Sequence, residues 1–190
     1  MRAFVAIDLD PGALDVLAEA RRAFLHGAPS WAGEKWVEEH NLHITLAFLG
    51  SVDEAVSRAL VSALVAAGAR HEAFHLDPAG LRAVPALRRA TMLWACYAQA
   101  PAAEALSADL RTAALTFAPE TAVRPFTAHV TLVRSRRPRP VPAGALQAAD
   151  EAVSTRLSVL SVPSVTLYSS TLTRHGPEYE CVAALPLRRA

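Results

Sequence analysis

The chain contains the same short pattern twice, and this repeat constrains its fold more than any other feature of the sequence. His43-Ile44-Thr45-Leu46 is matched by His129-Val130-Thr131-Leu132, and the two histidines are 86 positions apart. From the residue frequencies, two such matches by chance have a probability on the order of one in a thousand. The repeat therefore indicates a duplicated architecture in which each half of the chain supplies one motif.

Each motif lies in a strand that follows another strand and a helix. These predicted elements are strand 2–9, helix 11–27 and strand 42–49 in the first half, and strand 90–98, helix 101–117 and strand 128–134 in the second. The order lacks the regular alternation of a parallel sheet and predicts an α+β fold with mainly antiparallel pairing. We expect a single two-lobed domain over 1–190, with pseudo-symmetric lobes, helices on their outer faces and an active-site cleft between them.

Other elements are predicted from local signals. Asp10 and Pro11 are typical of a helix start, and Gly27 is typical of a helix end. Ser51 to Glu54 has the form of a capping box, which predicts a helix over 51–68. The remaining predicted elements are strand 74–84, a Pro-rich loop over 136–142, a short helix over 143–152, and strands over 155–162, 165–172 and 179–187, the last two forming a hairpin through His175-Gly176-Pro177.

The spacing within each motif places its polar residues on one face of a strand. Residues two apart in a strand point the same way, so His43 shares a face with Thr45, and His129 with Thr131. Two imidazoles can serve as a paired acid and base near neutral pH. The threonine hydroxyls can donate hydrogen bonds to phosphate oxygens, and opposed histidines suit in-line displacement at phosphorus. The pattern therefore predicts phosphoryl-transfer chemistry that needs no metal or cofactor.

Three residues beside the motifs are further candidates for substrate binding. Strict alternation places Arg134 on the face opposite His129, so Arg134 reaches a phosphate only if the strand ends or bulges there. Phe126 and Phe48 can stack on a base, although an aromatic residue beside a strand is more often part of the core. Phe48 in particular has the same parity as Leu46, which predicts that it is buried.

A metal site is a weaker interpretation of the histidines. Neither motif has a nearby Asp or Glu at a ligand spacing. His71 and His75 are four positions apart, but they flank a predicted helix-to-strand junction. We therefore interpret these two, together with the remaining histidines, as surface or structural residues; the others are His26, His40 and His175.

The charge of the chain limits its partners. The formal net charge of +1 argues against tight, sequence-independent binding to long duplexes, but it permits a short or terminal phosphate. The run Arg136, Arg137 and Arg139 is either a solvated loop or a guide for an RNA strand. No apolar run approaches the ~20 residues that cross a bilayer, and Asp8 interrupts the opening stretch too early for a signal peptide. We expect a cytoplasmic monomer.

The extended motif segments resemble the RNA 2′,3′-cyclic phosphodiesterase, or 2′-5′ RNA ligase, family of the two-histidine phosphoesterases. The matching segments are His43 to Gly50 and Pro125 to Arg134, with further similarity at Arg2 to Leu9, in the Trp36-Val37 and Asn41-Leu42 lead-in, and from Leu167 to Tyr179. The resemblance covers nearly the whole chain. It implies a bilobal α+β fold and metal-independent hydrolysis of 2′,3′-cyclic phosphates, on RNA ends or small cyclic nucleotides, to the 2′-phosphate.

The resemblance also implies a role for each motif residue. His43 is the expected proton donor to the leaving 3′ oxygen, and His129 is the expected base that activates water. Thr45 and Thr131 would hold the phosphate oxygens. Ala128 departs from the family pattern, which often has proline directly before the second histidine, but the change removes no catalytic group.

Two alternatives share this site. The first is ligation, the reverse reaction, which forms a 2′-5′ linkage between RNA fragments. The second is a non-catalytic protein that binds RNA ends. The high concentration of water favours hydrolysis over ligation. The intact histidine in both motifs argues against a binding protein, since phosphate binding does not require two titratable groups.

Overall fold

The structure is a computed structural model that describes residues 1–123, 125–174 and 176–189. Strands and helices mix along the chain without a strict alternation. In chain order they are β1 (Arg2–Asp8), α1 (Pro11–Gly27), β2 (Lys35–Trp36), β3 (His43–Ser51), α2 (Ser57–Gly68), β4 (Phe74–Leu76), β5 (Pro78–Val84), β6 (Ala90–Tyr97), α3 (Pro101–Leu115), β7 (His129–Arg139), α4 (Ala143–Arg156), β8 (Leu160–Val162), β9 (Ser164–Thr173) and β10 (Gly176–Pro186).

An eight-stranded antiparallel sheet forms the centre of the molecule, in the order β10-β9-β1-β3-β7-β6-β5, with β2 beside β7. The strands β4 and β8 pair separately as a ribbon. The first motif strand, β3, meets the second, β7, at the middle of the sheet. Between these two strands, the pairing in the described residues is that of Ile44 with Val130. The fold is α+β with antiparallel pairing, as predicted.

The four helices cover the apolar face of the sheet and leave the other face open. Helix α1 packs against α4, and α2 packs against α3. Large side chains that are fully buried between the helices and the sheet include Leu17, Phe24, Leu60, Leu64, Leu106, Leu110, Ile7, Ile44 and Leu93. Each such side chain stabilises the fold by about 1.5–3 kcal/mol through burial of its apolar surface. The face that carries the two motif histidines is the one without helices.

Helix α1 confirms the predicted signals at both of its ends. The carboxylate of Asp10 accepts a hydrogen bond from the backbone N–H of Ala13 at 2.8 Å, which satisfies one of the free donors of the first turn. At the other end, a Cβ on Gly27 would lie 2.8 Å from the Cβ of Ala145. Gly27 therefore permits the close approach of α1 to α4 as well as ending the helix.

Helix α2 begins later than the predicted capping box. Ser51 remains in β3, where its backbone N–H donates to the Glu120 carboxylate at 3.1 Å. A short 3₁₀ turn over Glu54–Val56 follows, and the Asp53 side chain caps this turn by accepting from the N–H of Ala55 at 2.9 Å. The prediction of a helix start at Ser51 was wrong because the strand extends to include that residue.

Three predicted boundaries in the second half also differ. The predicted strand 74–84 is divided, because β4 pairs with β8 while β5 pairs with β6. The predicted loop 136–142 is partly strand, since β7 continues to Arg139, which pairs with Ala90 after a register shift. Helix α4 extends to Arg156 and shortens the strand predicted over 155–162.

The predicted hairpin near the end of the chain is confirmed by the pairing of β9 with β10. His175, which belongs to its connection, lies outside the described residues. Among the residues that are described, no helix is long and apolar enough to cross a membrane.

Candidate active site

The two motif strands bring their polar residues together on the open face. Ile44 pairs with Val130, and continuing this antiparallel register by one residue on each side directs His43 toward Thr131 and Thr45 toward His129. Residues directly opposite each other in such a pair have Cα atoms about 4.5–5.5 Å apart, and diagonal neighbours about 7–8 Å apart. The two histidines are therefore diagonal neighbours, and the two threonine hydroxyls lie in the same cluster.

Each motif strand has a β-bulge at its leucine. On β3, Thr45 pairs with Ala6 while Ala47 pairs with Val5, so that Leu46 is the extra residue. On β7, Thr131 pairs with Trp94 while Val133 pairs with Leu93, so that Leu132 is the extra residue. A bulge shifts the alternation by one residue and reverses the facing of the side chains that follow, up to the next register shift.

Strict alternation would direct two side chains, those of Phe48 and Arg134, away from the site. The bulges turn both of them toward it. Phe48 is 55 % exposed, so the prediction from its parity with Leu46 that it is buried was wrong. Arg134 is exposed on the same face as His129 and Thr131, which corrects the opposite facing expected without a bulge. The two residues occupy equivalent positions, three residues after the motif threonine in each half.

Both imidazoles are anchored in the same way. Nδ1 of His43 donates to the carbonyl oxygen of Asn41 at 2.8 Å, and Nδ1 of His129 donates to that of Thr127 at 2.8 Å. A carbonyl can only accept, so the proton of each neutral ring is on Nδ1 and Nε2 is the free base. Nε2 of His43 also lies 3.0 Å from Oγ1 of Thr45, whose hydroxyl can donate to it. In both rings, Nε2 is the nitrogen available to exchange a proton with a substrate.

Aromatic side chains hold the faces of both rings. His43 stacks on Phe4 with ring centroids 4.8 Å apart, and Tyr179 meets it edge-on at 5.6 Å. His129 stacks on Trp94 at 3.8 Å. Burial against these rings lowers the pKa of both histidines, because it penalises the charged imidazolium. The carbonyl acceptors of Asn41 and Thr127 act in the opposite direction and raise each pKa.

The charges near the two histidines differ although their backbone anchors match. Asp8 pairs directly with His43 across β1 and β3, whereas the neutral Cys96 pairs with His129 across β6 and β7. The Asp8 carboxylate accepts hydrogen bonds from the hydroxyls of Thr166 at 2.6 Å and Tyr168 at 2.7 Å. Its charge raises the pKa of His43 and so counters part of the effect of burial.

The positive charge of Arg134 acts on both histidines. Its guanidinium donates to Oγ1 of Thr131 at 3.4 Å and contacts the sulfur of Met92 at 3.1 Å. This charge lowers the pKa of both His43 and His129. An exposed guanidinium beside a half-buried hydroxyl on the same face forms a site that can bind a phosphate dianion or its transition state.

The remaining predicted residues lie elsewhere. Phe126 is half-buried and packs against the hydrophobic core, so a base-stacking role for it stays a prediction. Nε2 of His71 is hydrogen-bonded to the Asp109 carboxylate at 2.9 Å, and His75 is exposed on β4. Among residues 1–123, 125–174 and 176–189, no group of three or more His, Cys, Asp or Glu side chains could hold a metal ion.

The residues that support the histidines were largely missed by the sequence reasoning. Asp8, Phe4 and Trp94 reach the site only through the pairing of β1 and β6 with the motif strands. Strand parity on β1 could have placed Phe4 and Asp8 on one face, but it could not have identified the strand beside them. Asn41 has a local signal, since it lies two residues before His43 as Thr127 does before His129.

Comparisons with known proteins show which family and which proteins this chain resembles in sequence. The family described as LigT like Phosphoesterase matches residues 7–94. An RNA 2′,3′-cyclic phosphodiesterase of Geobacillus stearothermophilus is 33 % identical over 80 % of this chain, which spans only 47 % of that relative. A protein of the same name from Aeropyrum pernix is also 33 % identical, over 86 % of this chain and 90 % of the relative.

A solved structure extends the similarity to the whole fold. The protein TT0787 of Thermus thermophilus superimposes with a TM-score of 0.74 at 25 % identity, covering 100 % of this chain and 99 % of that one. The family expected from the paired motifs is thereby confirmed. By its similarity to a relative that it covers almost completely, the chain belongs to the LigT-like family of two-histidine phosphoesterases.

Proposed function

We propose that the protein hydrolyses RNA or nucleoside 2′,3′-cyclic phosphates to the 2′-phosphate by paired-histidine acid and base catalysis. One observation carries this proposal: the antiparallel contact of β3 with β7 gathers two Nδ1-anchored imidazoles and two threonine hydroxyls on an open face. The names of the curated relatives support the same substrate class.

In the proposed reaction, Nε2 of His129 takes a proton from water as the water oxygen forms a bond to phosphorus. The bond between phosphorus and the 3′ oxygen breaks on the opposite side, and Nε2–H of His43 gives its proton to that oxygen. The product is a 2′-phosphate with a free 3′ hydroxyl. The hydroxyls of Thr45 and Thr131 and the guanidinium of Arg134 stabilise the charge on the non-bridging oxygens. No step needs a metal.

The charge asymmetry of the site supports this assignment of acid and base. A general acid must be protonated before reaction, and the carboxylate of Asp8 favours the imidazolium form of His43. His129 has the neutral Cys96 in the equivalent position, so no facing carboxylate offsets the charge of Arg134, which lowers the pKa of both histidines. Burial lowers the pKa of both histidines, but only His43 has a facing carboxylate that acts against this lowering.

Steady-state hydrolysis of a nucleoside 2′,3′-cyclic phosphate in EDTA tests the proposal. His43→Ala and His129→Ala should each lower kcat by about 10²–10⁴, the usual contribution of one proton-transfer group. His75→Ala is the matched control, because His75 is an exposed strand histidine away from the site. Undiminished turnover in either motif variant would refute the assigned roles, and no turnover in the native protein would favour a protein that only binds RNA ends.

Phosphorus NMR of the product tests which ester bond breaks. A 2′-phosphate is expected if His43 protonates the 3′ oxygen, and a 3′-phosphate contradicts that assignment. The same sample, supplied with an RNA fragment bearing a 5′ hydroxyl, measures ligation. Net accumulation of a 2′-5′ linkage over hydrolysis in dilute solution would favour the ligase alternative.

A further inference from the structure

We propose that the groove between β2 and the end of β7 binds the phosphate backbone of an RNA chain whose cyclic phosphate end lies at the histidines. This inference rests on the proposed function and assigns it a substrate class, an RNA strand rather than a free nucleotide. The groove has a volume of about 510 Å³ and is lined by Gly33, Glu34, Lys35, Ser135, Arg136, Arg137 and Arg139.

The groove adjoins the active site at Arg134. Lys35 pairs with Arg134 across β2 and β7, so both side chains stand on the face that carries His129 and Thr131. Arg136 follows Arg134 by two positions on the same strand, about 7 Å farther along. A polynucleotide that enters the site can therefore pass directly from Arg134 to the lysine and arginine side chains of the groove.

The groove keeps its positive charge because its acidic residue is already paired. Glu34 forms an ion pair with Arg139, whose guanidinium also stacks 5.1 Å above the ring of Trp31. Burial acts to raise the pKa of Glu34, but hydrogen bonds from Ser135 and Arg139 outweigh it and leave the pKa below its ordinary value. Glu34 and Arg139 thus neutralise each other as a fixed part of the wall.

Three cations remain available to a ligand. Lys35, Arg136 and Arg137 are exposed, and among the described residues none of them has a carboxylate within ion-pair distance. Lys35 is also the one lysine of the chain. The whole protein carries a formal charge of only +1, so its positive charge is concentrated locally at the groove.

The geometry favours a nucleic acid backbone over a single phosphate. Cations contributed by two strands along an open groove match repeated phosphates, whereas one anion would need donors that converge on a point. Binding of single strands releases counterions, with a salt slope of about −0.7 per phosphate contact. Three contacts therefore predict a slope near −2, which is about a 20-fold loss of affinity over a fourfold rise in salt.

The test compares two substrates that share one reactive end. A nucleoside 2′,3′-cyclic phosphate reaches only the histidines, while a hexaribonucleotide with the same terminal group also reaches the groove. The test variant combines Lys35→Gln, Arg136→Gln and Arg137→Gln. The control variant combines Arg22→Gln, Arg58→Gln and Arg189→Gln, which removes the same charge from exposed positions elsewhere. Each kcat/KM is measured at two salt concentrations that differ fourfold.

For the test variant, kcat/KM on the hexamer should fall by about tenfold or more at low salt, and its salt slope should become shallower by about 2. Its kcat/KM on the mononucleotide should stay within about twofold of the native value, which also shows that the variant is folded. Equal effects on both substrates, an unchanged hexamer slope, or an equal loss in the control variant would each overturn the groove assignment. Failure of the native protein on both substrates would instead refute the proposed function.

Discussion

Replacing Asp8 with asparagine removes the carboxylate that faces His43 and should lower the pKa of that histidine. Asp8 and His43 are directly opposite residues on β1 and β3, and such pairs have Cα atoms about 4.5–5.5 Å apart. We take about 6 Å as the separation of their charges in Coulomb's law. At that distance Coulomb attraction is about 0.7 kcal/mol in water and about 1.4 kcal/mol at half the dielectric constant of water. Because Asp8 is exposed, this solvent-screened range applies, and it corresponds to about half a unit to one unit of pKa.

The direction of the change follows from the charge form that Asp8 favours. The carboxylate stabilises the imidazolium of His43, so its loss makes that proton easier to remove. The groups that face His43 are Asp8 on β1, His129 and Arg134 on β7, and Tyr179 on β10, while Tyr168 on β9 hydrogen-bonds to Asp8. In the variant, only the two groups on β7 still act by charge, and both lower the pKa of His43. Above this pKa the protonated acid, and with it kcat/KM, should fall about three- to tenfold.

Proton NMR titration of the histidine ring signals measures the effect directly, with the His43 signal identified by its loss in His43→Ala. Asp8→Glu restores the charge and should restore the His43 pKa, while Asp15→Asn removes an exposed carboxylate elsewhere and should leave it unchanged. An unmoved His43 titration in Asp8→Asn, or an equal displacement of the His129 pKa, would refute the idea that Asp8 biases one histidine. A purely structural role for Asp8 would lower activity at all pH values alike.

Further predictions concern the bulged strands. Phe48→Ala should raise KM for a cyclic nucleotide about fivefold with little change in kcat, because stacking on a base contributes about 1 kcal/mol or more; an unchanged KM contradicts a stacking role. Arg134→Gln should lower kcat/KM by about 10²–10³, and Arg134→Lys should recover only part of it; full recovery would mean that charge alone suffices. Ser107→Ala should lower the free energy of unfolding by about 1–3 kcal/mol in denaturant titrations, since the buried Ser107 hydroxyl donates to the bulge carbonyl of Leu46 at 2.6 Å; no change would show that the bulge needs no such partner.

The sequence was sufficient to predict the centre of the fold because the signals there are local. The polar face of each motif depends only on residues two apart in a strand, and the repeat indicates that the two strands share one role. The helix that starts at Asp10 was predicted for a similar reason, since a cap and its first turn are adjacent in the chain. Such features need no knowledge of which strand lies beside which.

The sequence was insufficient wherever the partner strand decides the outcome. The bulges at Leu46 and Leu132 are defined by the pairing of the motif strands with β1 and β6, so the sequence of the motif strands alone does not predict them. For Arg134 the effect of a bulge could be stated only as a condition, and for Phe48 strict alternation led to the wrong prediction of burial. Asp8 shows the same limit, because its influence on His43 arises from the register of two strands that are far apart in sequence.

Because of the two bulges, one side chain in each half points outward and does not have to pack in the core. A residue that points into the core must match the volume of its neighbours, but Phe48 and Arg134 point outward and carry no such constraint. The duplicated halves can therefore carry an aromatic ring on one side and a cation on the other while the layer beneath stays the same. Differences between the two halves at these two positions therefore disturb the packing least. We expect Phe48 to contact the base of a nucleotide and Arg134 to contact its phosphate.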